Sequence, residues 1–345
     1  MIKIDVDKRK WEKIKEEHSE WYSDNILPNI KNAYEFIESQ KSKSYSMKKY
    51  LELLKKIIDK GKDFIIQKEL FLDYENKEID KIIKIMKKKN KKRKSILEIC
   101  FEKLNISEEY LPNQLFCYKK LQTGNKDWNR HKLLSLIGIE ICPYCQRNYI
   151  SSYEENNDEK TTADLDHFYP KSLYPFLALS LYNFIPSCQI CNSRFKGNKD
   201  TRDSVYLYEE GFDELGVKFR TSKEVISEIL GERYSDFYVK IDYENLKNKE
   251  DGEKVKNSIE NLGLDRVYKK SHNQYIQNLL YNIEKYPENY LENCVEMFES
   301  DVDKKKQLEE YFKDIVKEPY RKRIENGEPL AKLTKDILEE FEIKI

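Results

Sequence analysis

The chain has 345 residues, of which 39% are hydrophobic and 37% are charged, so it can bury a core beneath a heavily charged surface. It contains no run of roughly eighteen apolar residues, the minimum for a membrane span. Its first residues, Met1-Ile-Lys-Ile-Asp5, lack the apolar stretch of a secretory signal. We therefore expect no membrane segment and a cytoplasmic protein.

The formal net charge is zero, but the charge is distributed unevenly. Residues 1–140 carry 32 basic and 23 acidic side chains, whereas residues 201–345 carry 25 basic and 33 acidic ones. A nucleic-acid enzyme needs positive potential beside its site, and the N-terminal region can supply it. The asymmetry favours such a partner without deciding the function.

Three regions follow one another along the sequence. Residues 1–135 contain apolar residues at the i, i+3, i+4, i+7 spacing of amphipathic helices, at Ile30, Ala33, Tyr34 and Ile37 and at Tyr50, Leu53, Leu54 and Ile57. Residues 136–200 break this spacing with cysteines, prolines, asparagines and aromatic residues. Residues 201–345 begin with a strand-like segment, 237–242, and return to helices, for example at Ile276, Leu279, Leu280 and Ile283.

A basic segment, 81–94, interrupts the first region with nine Lys or Arg residues and no acid. Blocks of like charge repel one another, which favours an exposed linker. The alternative interpretation is an arm that contacts phosphate groups, and salt-dependent binding would reveal it.

Two Cys-x-x-Cys pairs, Cys142-Pro-Tyr-Cys145 and Cys188-Gln-Ile-Cys191, predict a structural zinc site. Each short turn can point two thiolates at one ion, and two turns complete the tetrahedron that Zn²⁺ prefers. The 42 residues between the pairs exceed the separation in a compact zinc ribbon, so the ion would pin the ends of an inserted module. Buried free cysteines or a redox pair are the alternatives. Cys100, Cys117 and Cys294 are expected to be ordinary thiols.

Candidate catalytic residues lie between and just after the cysteine pairs. Hydrolysis of a phosphodiester needs a hard divalent cation with oxygen ligands and a base that titrates near neutrality. Asp166 can supply a carboxylate and His167 an imidazole. Asn192, on an expected short helix from Gln189 to Lys196, can offer an amide oxygen to the same ion. Asn183 can hold the loop that carries His167.

Residues 142–199 contain, in order, the motifs Cys-x-x-Cys, Asp-His-x-x-Pro-Lys-Ser, Asn and Cys-x-x-Cys-Asn-x-x-x-Lys. This order resembles that of the zinc-containing HNH endonucleases, which have a ββα-metal site. The resemblance implies that Asp166 and Asn192 bind catalytic Mg²⁺ or Mn²⁺, that His167 is the general base and that Asn183 orients it. It also implies that Asp164 supports these groups without binding the ion. Three nearby basic residues can meet phosphate oxygens, on their proximity in sequence alone: Lys171, Arg194 and Lys196.

A weaker likeness rests on two stretches, one inside this segment and one beyond it. The stretch from Tyr174 to Cys188 and the later Asn261-Leu-Gly-Leu-Asp-Arg266 resemble HNH nuclease subunits of retron and Septu anti-phage defence systems. That resemblance implies an ABC-type ATPase as a partner. Residues 1–135 carry no motif of this kind.

These observations predict a mainly α protein with a small embedded ββα-metal (HNH) core braced by a zinc knuckle of four cysteines. The expected function is metal-dependent hydrolysis of nucleic-acid phosphodiester bonds, with DNA as the first substrate to test, in anti-phage defence. The alternative is a non-catalytic, zinc-stabilised module that binds nucleic acid or protein. The sequence leaves the strandedness of the substrate, the recognition sequence and the oligomeric state open.

Overall fold

A computed structural model of the chain describes residues 1–68, 95–124, 127–156, 158–231, 236–285 and 302–344. Over these residues the protein is mainly helical with small antiparallel sheets, so the coarse fold class is confirmed. No helix in these ranges combines the length and apolar character that crossing a lipid bilayer requires. The predicted basic segment 81–94 lies outside the described residues.

The chain divides into two compact units. The first, called the cleft unit, comprises Ile4–Glu140 and Ile150–Asp203. The second, called the C-terminal unit, comprises Met1–Lys3, Ile141–Tyr149 and Ser204–Ile345. Most of the predicted helical region therefore belongs to the same unit as the candidate residues Asp166 and His167.

Among the described residues of the cleft unit, seven α-helices precede the strands: α1 (Lys8–Asn25), α2 (Leu27–Glu38), α3 (Tyr45–Lys60), α4 (Ile96–Lys103), α5 (Pro112–Leu115), α6 (Lys119–Gln122) and α7 (Arg130–Ile137). Several of their N-termini follow residues that can cap a helix. The Asp7 carboxylate accepts from two amides of the first turn of α1, and Ser95 and Glu98 form a capping box at α4. The predicted apolar faces of α2 and α3 are buried, which explains their spacing.

In the described part of the cleft unit, four strands form two separate antiparallel pairs. Strand β1 (Ser152–Glu155) pairs with β2 (Asp158–Thr161) in a hairpin that packs against α7. Strand β3 (Asp164–His167) pairs with β4 (Phe184–Ser187), and Asp166 lies opposite Ile185. A π-helix, Ile190–Lys196, follows β4 where the sequence predicts a short helix.

His18 of α1 fixes the segment that connects β3 with β4. Its ring is fully buried; Nε2 donates to the Leu179 carbonyl at 2.8 Å, and Nδ1 accepts from the Trp128 indole at 3.0 Å. With both nitrogens engaged in this way, the imidazole is neutral. Burial lowers the pKa of His18 to about 4, although the Leu179 carbonyl opposes the shift.

The C-terminal unit contains strands β5 (Lys218–Thr221) and β6 (Val239–Asp242), paired antiparallel, and helices α8 (Phe212–Leu215), α9 (Ile226–Gly231), α10 (Gly252–Leu262), α11 (Leu264–Tyr268), α12 (Asn273–Lys285), α13 (Val302–Glu325) and α14 (Ala331–Glu340). Strand β6 falls within the predicted strand-like segment. The hydrophobic core of the C-terminal unit joins both strands to α12 and α14. Its residues include Phe219, Val239, Ile276, Leu280, Leu333 and Ile337.

The buried neutral His18 should make the stability of the protein depend on pH. In the unfolded chain its pKa is near 6.5, whereas in the folded chain it is about 4. Between pH 4 and 6.5 the unfolded state therefore binds one proton more at His18 than the folded state does. The contribution of His18 to stability is complete above pH 6.5 and is lost as pH falls towards 4, by about 3 kcal/mol in all.

Urea unfolding at pH 7.5, 6, 5 and 4.5, followed by tryptophan fluorescence, measures this effect. We expect the pH dependence of the unfolding free energy to be shallower in His18→Gln than in the wild type, by about one proton. An equal slope in both proteins would show that His18 does not stay neutral in the fold.

Candidate active site

Strand β3 presents its two carboxylates to the π-helix. Side chains alternate along a strand, so Asp164 and Asp166 share one face and His167 lies on the other. Each carboxylate contacts one residue of the π-helix: Asp164 accepts from Asn192, and Asp166 is paired with Lys196. Strand and helix are thus joined by two polar contacts, one helical turn apart.

The contact between Asp166 and Lys196 is a buried ion pair. Lys196 Nζ lies 3.1 Å from Asp166 Oδ1, and the two side chains are only 1% and 3% exposed. The same ammonium donates to the backbone carbonyl of His167 at 2.6 Å. Removing charges from water is costly unless both are paired, so this contact holds the end of β3 firmly. Lys196, predicted to contact phosphate, here has a buried ammonium.

Asn192 is fixed by Asp164. Its Nδ2 donates to Asp164 Oδ2 at 3.0 Å, which leaves Oδ1 as the amide atom that can bind a cation. Asp164 thus contacts one of the two predicted ligands.

His167 is held in one tautomer. Its Nε2 lies 3.0 Å from the Ala178 carbonyl, which can only accept, so the proton is on Nε2 and Nδ1 carries the lone pair. No donor in the described ranges bonds to Nδ1. Burial first, and Lys171 next, lower the pKa of His167 to about 3, while the Ala178 carbonyl opposes the shift. The imidazole is therefore neutral at pH 7 and can accept a proton at Nδ1.

Asn183 braces the segment after His167. It is fully buried; its Oδ1 accepts from the Tyr169 amide at 2.7 Å, and its Nδ2 donates to the carbonyls of Tyr169 and Leu177 at 3.1 and 2.9 Å. Leu177 immediately precedes Ala178, the partner of His167. Asn183 thus fixes the chain that orients the imidazole.

An open cleft of about 260 Å³ lies beside these residues. Asp164, Asp166, His167 and Asn192 all line it, and so do the predicted basic residues Lys171 and Lys196. Arg194 is exposed and is not among the lining residues.

The cleft also contains residues that the sequence did not indicate. The N-terminal helical region contributes Tyr118, Gln122 and Arg130, which line the cleft with the predicted residues. Residues 1–135 have no recognisable motif, and no local spacing marks these three side chains. The only available signal was the excess of basic residues in the N-terminal region.

The four predicted zinc ligands come together. Their sulfur atoms lie within 4.8 Å of one another and all four side chains are buried, namely Cys142, Cys145, Cys188 and Cys191. Zn–S bonds of about 2.3 Å in a tetrahedron separate the sulfurs by roughly 3.8 Å, which this spacing permits. The cluster can therefore hold a zinc ion, and four sulfur ligands would leave no coordination position for substrate.

The turns that carry the cysteines support thiolate ligands. The Cys142 amide donates to the Asn148 carbonyl, and the Gln146 amide donates back to the Cys142 carbonyl, which closes the first turn. In the second pair the Cys191 amide lies 3.5 Å from the Cys188 sulfur. An amide directed at a sulfur favours its charged form.

Among known proteins, the chain is similar to the Septu protein PtuB of Bacillus thuringiensis, with 33% identity over 102 residues. The aligned segment covers 29% of this chain and 34% of that protein, so the chain spans about a third of the relative's length. No family model matches the chain, and no solved structure does. Similarity to a Septu protein is thus established over this segment, and membership of the HNH family stays a prediction.

The cysteine cluster predicts a large loss of stability when one ligand is removed. Replacing Cys188 with serine should lower the thermal unfolding midpoint by about 10 °C or more, because several kcal/mol of metal-binding energy are lost. Cys100→Ser is the matched control, since Cys100 is a free thiol outside the cluster. Differential scanning calorimetry with elemental analysis tests both variants. Loss of zinc from Cys188→Ser with an unchanged midpoint would contradict a structural role for the ion.

Proposed function

We propose that this protein is a metal-dependent endonuclease of the HNH type, which hydrolyses phosphodiester bonds in nucleic acid. The observation that carries the proposal is one cleft lined by a neutral histidine, a carboxylate and an amide: His167, Asp166 and Asn192. These are the groups that hydrolysis of a phosphodiester requires. DNA is the first substrate to test.

Asp166 and Asn192 are the residues that would hold the divalent ion. Both offer oxygen atoms, the ligand type that Mg²⁺ and Mn²⁺ prefer. When bound, such an ion neutralises charge on the phosphate and on the leaving oxygen. Asp164 keeps the Asn192 amide turned so that its oxygen is available.

His167 takes the proton from the attacking water at Nδ1. Its Nε2–H remains bonded to Ala178, so the ring keeps its orientation as the charge on it grows. The low pKa makes His167 a weak base when the cleft lacks substrate, because the ring is buried and Lys171 lies nearby. A phosphate anion raises this pKa by offsetting the positive charge. Asn183 keeps the imidazole in place through the segment it braces.

A role in anti-phage defence is part of the proposal. It is supported by the similarity to a Septu protein. The resemblance to HNH subunits of defence systems adds an ABC-type ATPase as the proposed partner. Comparing DNA cleavage by the purified chain alone and with such an ATPase tests whether the partner controls the nuclease.

The second candidate function is a zinc-stabilised module that binds nucleic acid or protein without cutting it. The ion pair of Asp166 with Lys196 favours this alternative, because the proposed metal ligand already has a buried cation beside it. Such a module would bind DNA equally well with and without Mg²⁺ and would leave the strands intact.

Replacing His167 with alanine should reduce plasmid cleavage with Mg²⁺ or Mn²⁺ by about 10² to 10⁴-fold, the usual contribution of a general base. The rate of conversion of supercoiled plasmid to nicked and linear forms measures the effect. Zinc content should be unchanged, since the cysteines are untouched.

His131→Ala is the matched control, because His131 does not line the cleft. EDTA-treated wild-type protein controls for the divalent ion. Equal cleavage by His167→Ala and wild type would contradict the assignment of His167 as the general base. A folded, zinc-loaded wild type that binds DNA without cutting it would favour the binding module.

A further inference from the structure

Arg130, the first residue of α7, brings a guanidinium to the candidate cleft. It lines the cleft with Asp166 and His167, although 35 residues of chain separate it from Asp166. A guanidinium has donors in a fixed fork that matches two phosphate oxygens. Arg130 is thus placed where an anionic substrate has to lie if the cleft is the active site.

Tyr118 links Arg130 to the other groups of the cleft. One side of its buried ring faces Lys171, with the ammonium 4.6 Å from the ring centroid, and its edge contact with the His167 imidazole spans 4.8 Å between centroids. The Arg130 guanidinium lies close enough to the Tyr118 hydroxyl to act on it electrostatically. Burial raises the pKa of this hydroxyl to about 12, and Arg130 opposes the shift. Tyr118 thus lies against Lys171 and close to Arg130.

The acidic side chains of the cleft have polar partners within the protein, whereas two of its basic side chains can bind an anion. Asp166 is paired with Lys196, and Asp164 accepts from Asn192. In the part of the chain that the structure describes, no carboxylate lies within 4.0 Å of the Arg130 guanidinium or the Lys171 ammonium. Neither cation forms an ion pair with those acids, although Asp166 acts on Lys171 from a greater distance. An anion entering the cleft therefore meets two cations that can bind it.

We propose that Arg130 and Lys171 together bind a phosphate group of the nucleic-acid backbone beside His167. The inference rests on the proposed function in that nucleic acid is the ligand. Arg130, which no local motif indicates, takes the phosphate-contacting role that the sequence predicted for Arg194, which lies outside the cleft lining. It also gives the N-terminal helical region a direct part in substrate binding.

The salt dependence of DNA binding tests the proposal. A fluorescein-labelled duplex is titrated with full-length, zinc-loaded protein in the His167→Ala background, and the dissociation constant is measured by anisotropy at several KCl concentrations. Each phosphate contact contributes about 0.9 to the slope of log K against log salt. We expect Arg130→Gln to reduce the slope by about 0.9 and to weaken binding about fivefold near 0.15 M salt.

Three further variants make the result specific. Lys120→Gln removes an equally positive, exposed charge from the neighbouring helix α6 and should leave the slope unchanged. Arg130→Lys should keep the slope, because the charge remains, but should bind more weakly, because the guanidinium fork is lost. Lys171→Gln should lower the slope as Arg130→Gln does. Unfolding midpoints show that each variant is folded.

The outcomes separate this inference from the proposed nuclease activity. An Arg130→Gln slope equal to that of the parent, or equal to that of Lys120→Gln, overturns the inference even if the wild type cuts DNA. A reduced slope in a protein that never cuts DNA supports the phosphate site and counts against the nuclease. If neither the duplex nor a single strand of the same sequence binds, the phosphate site is wrong.

Discussion

The buried ion pair between Asp166 and Lys196 is the contact on which the candidate site depends. It joins the end of β3 to the end of the π-helix, and the same ammonium holds the His167 carbonyl. Removing either charge alone would break a buried ion pair, which is costly in the interior. The pair therefore fixes the backbone from which His167 projects, and it also sets a constraint: a divalent ion at Asp166 must be accommodated beside a resident cation.

Much of the site can be predicted from local patterns. The Cys-x-x-Cys pairs indicate a cluster because two short turns can serve one ion, and their sulfurs do come together. The spacing of Asp164 and Asp166 places both carboxylates on one face of a strand. The spacing of apolar residues predicts helices α2 and α3, because one face of each helix is buried and has to be apolar.

Other features depend on tertiary packing and have no local signal. Lys196 and Arg194 are both basic residues of one short helix, but one is buried in an ion pair and the other is exposed. Sequence proximity cannot distinguish them, because burial is decided by what packs on each face. Tyr118, just before α6, and Arg130, the first residue of α7, reach the cleft because their segments pack in the same unit. The sequence around Tyr118 and Arg130 has no periodic pattern or motif that would predict their place in the cleft.

The proposed nuclease requires Asp166 and Asn192 to hold one divalent ion in this cleft. Mn²⁺ titration followed by electron paramagnetic resonance, on zinc-loaded protein in the His167→Ala background, tests it without relying on cleavage. We expect one Mn²⁺ site, weakened at least about tenfold by Asp166→Asn and by Asn192→Ala, and unaffected by Asn113→Ala, an exposed amide outside the cleft. Equal Mn²⁺ affinity in the Asp166→Asn, Asn192→Ala and parent proteins would contradict it.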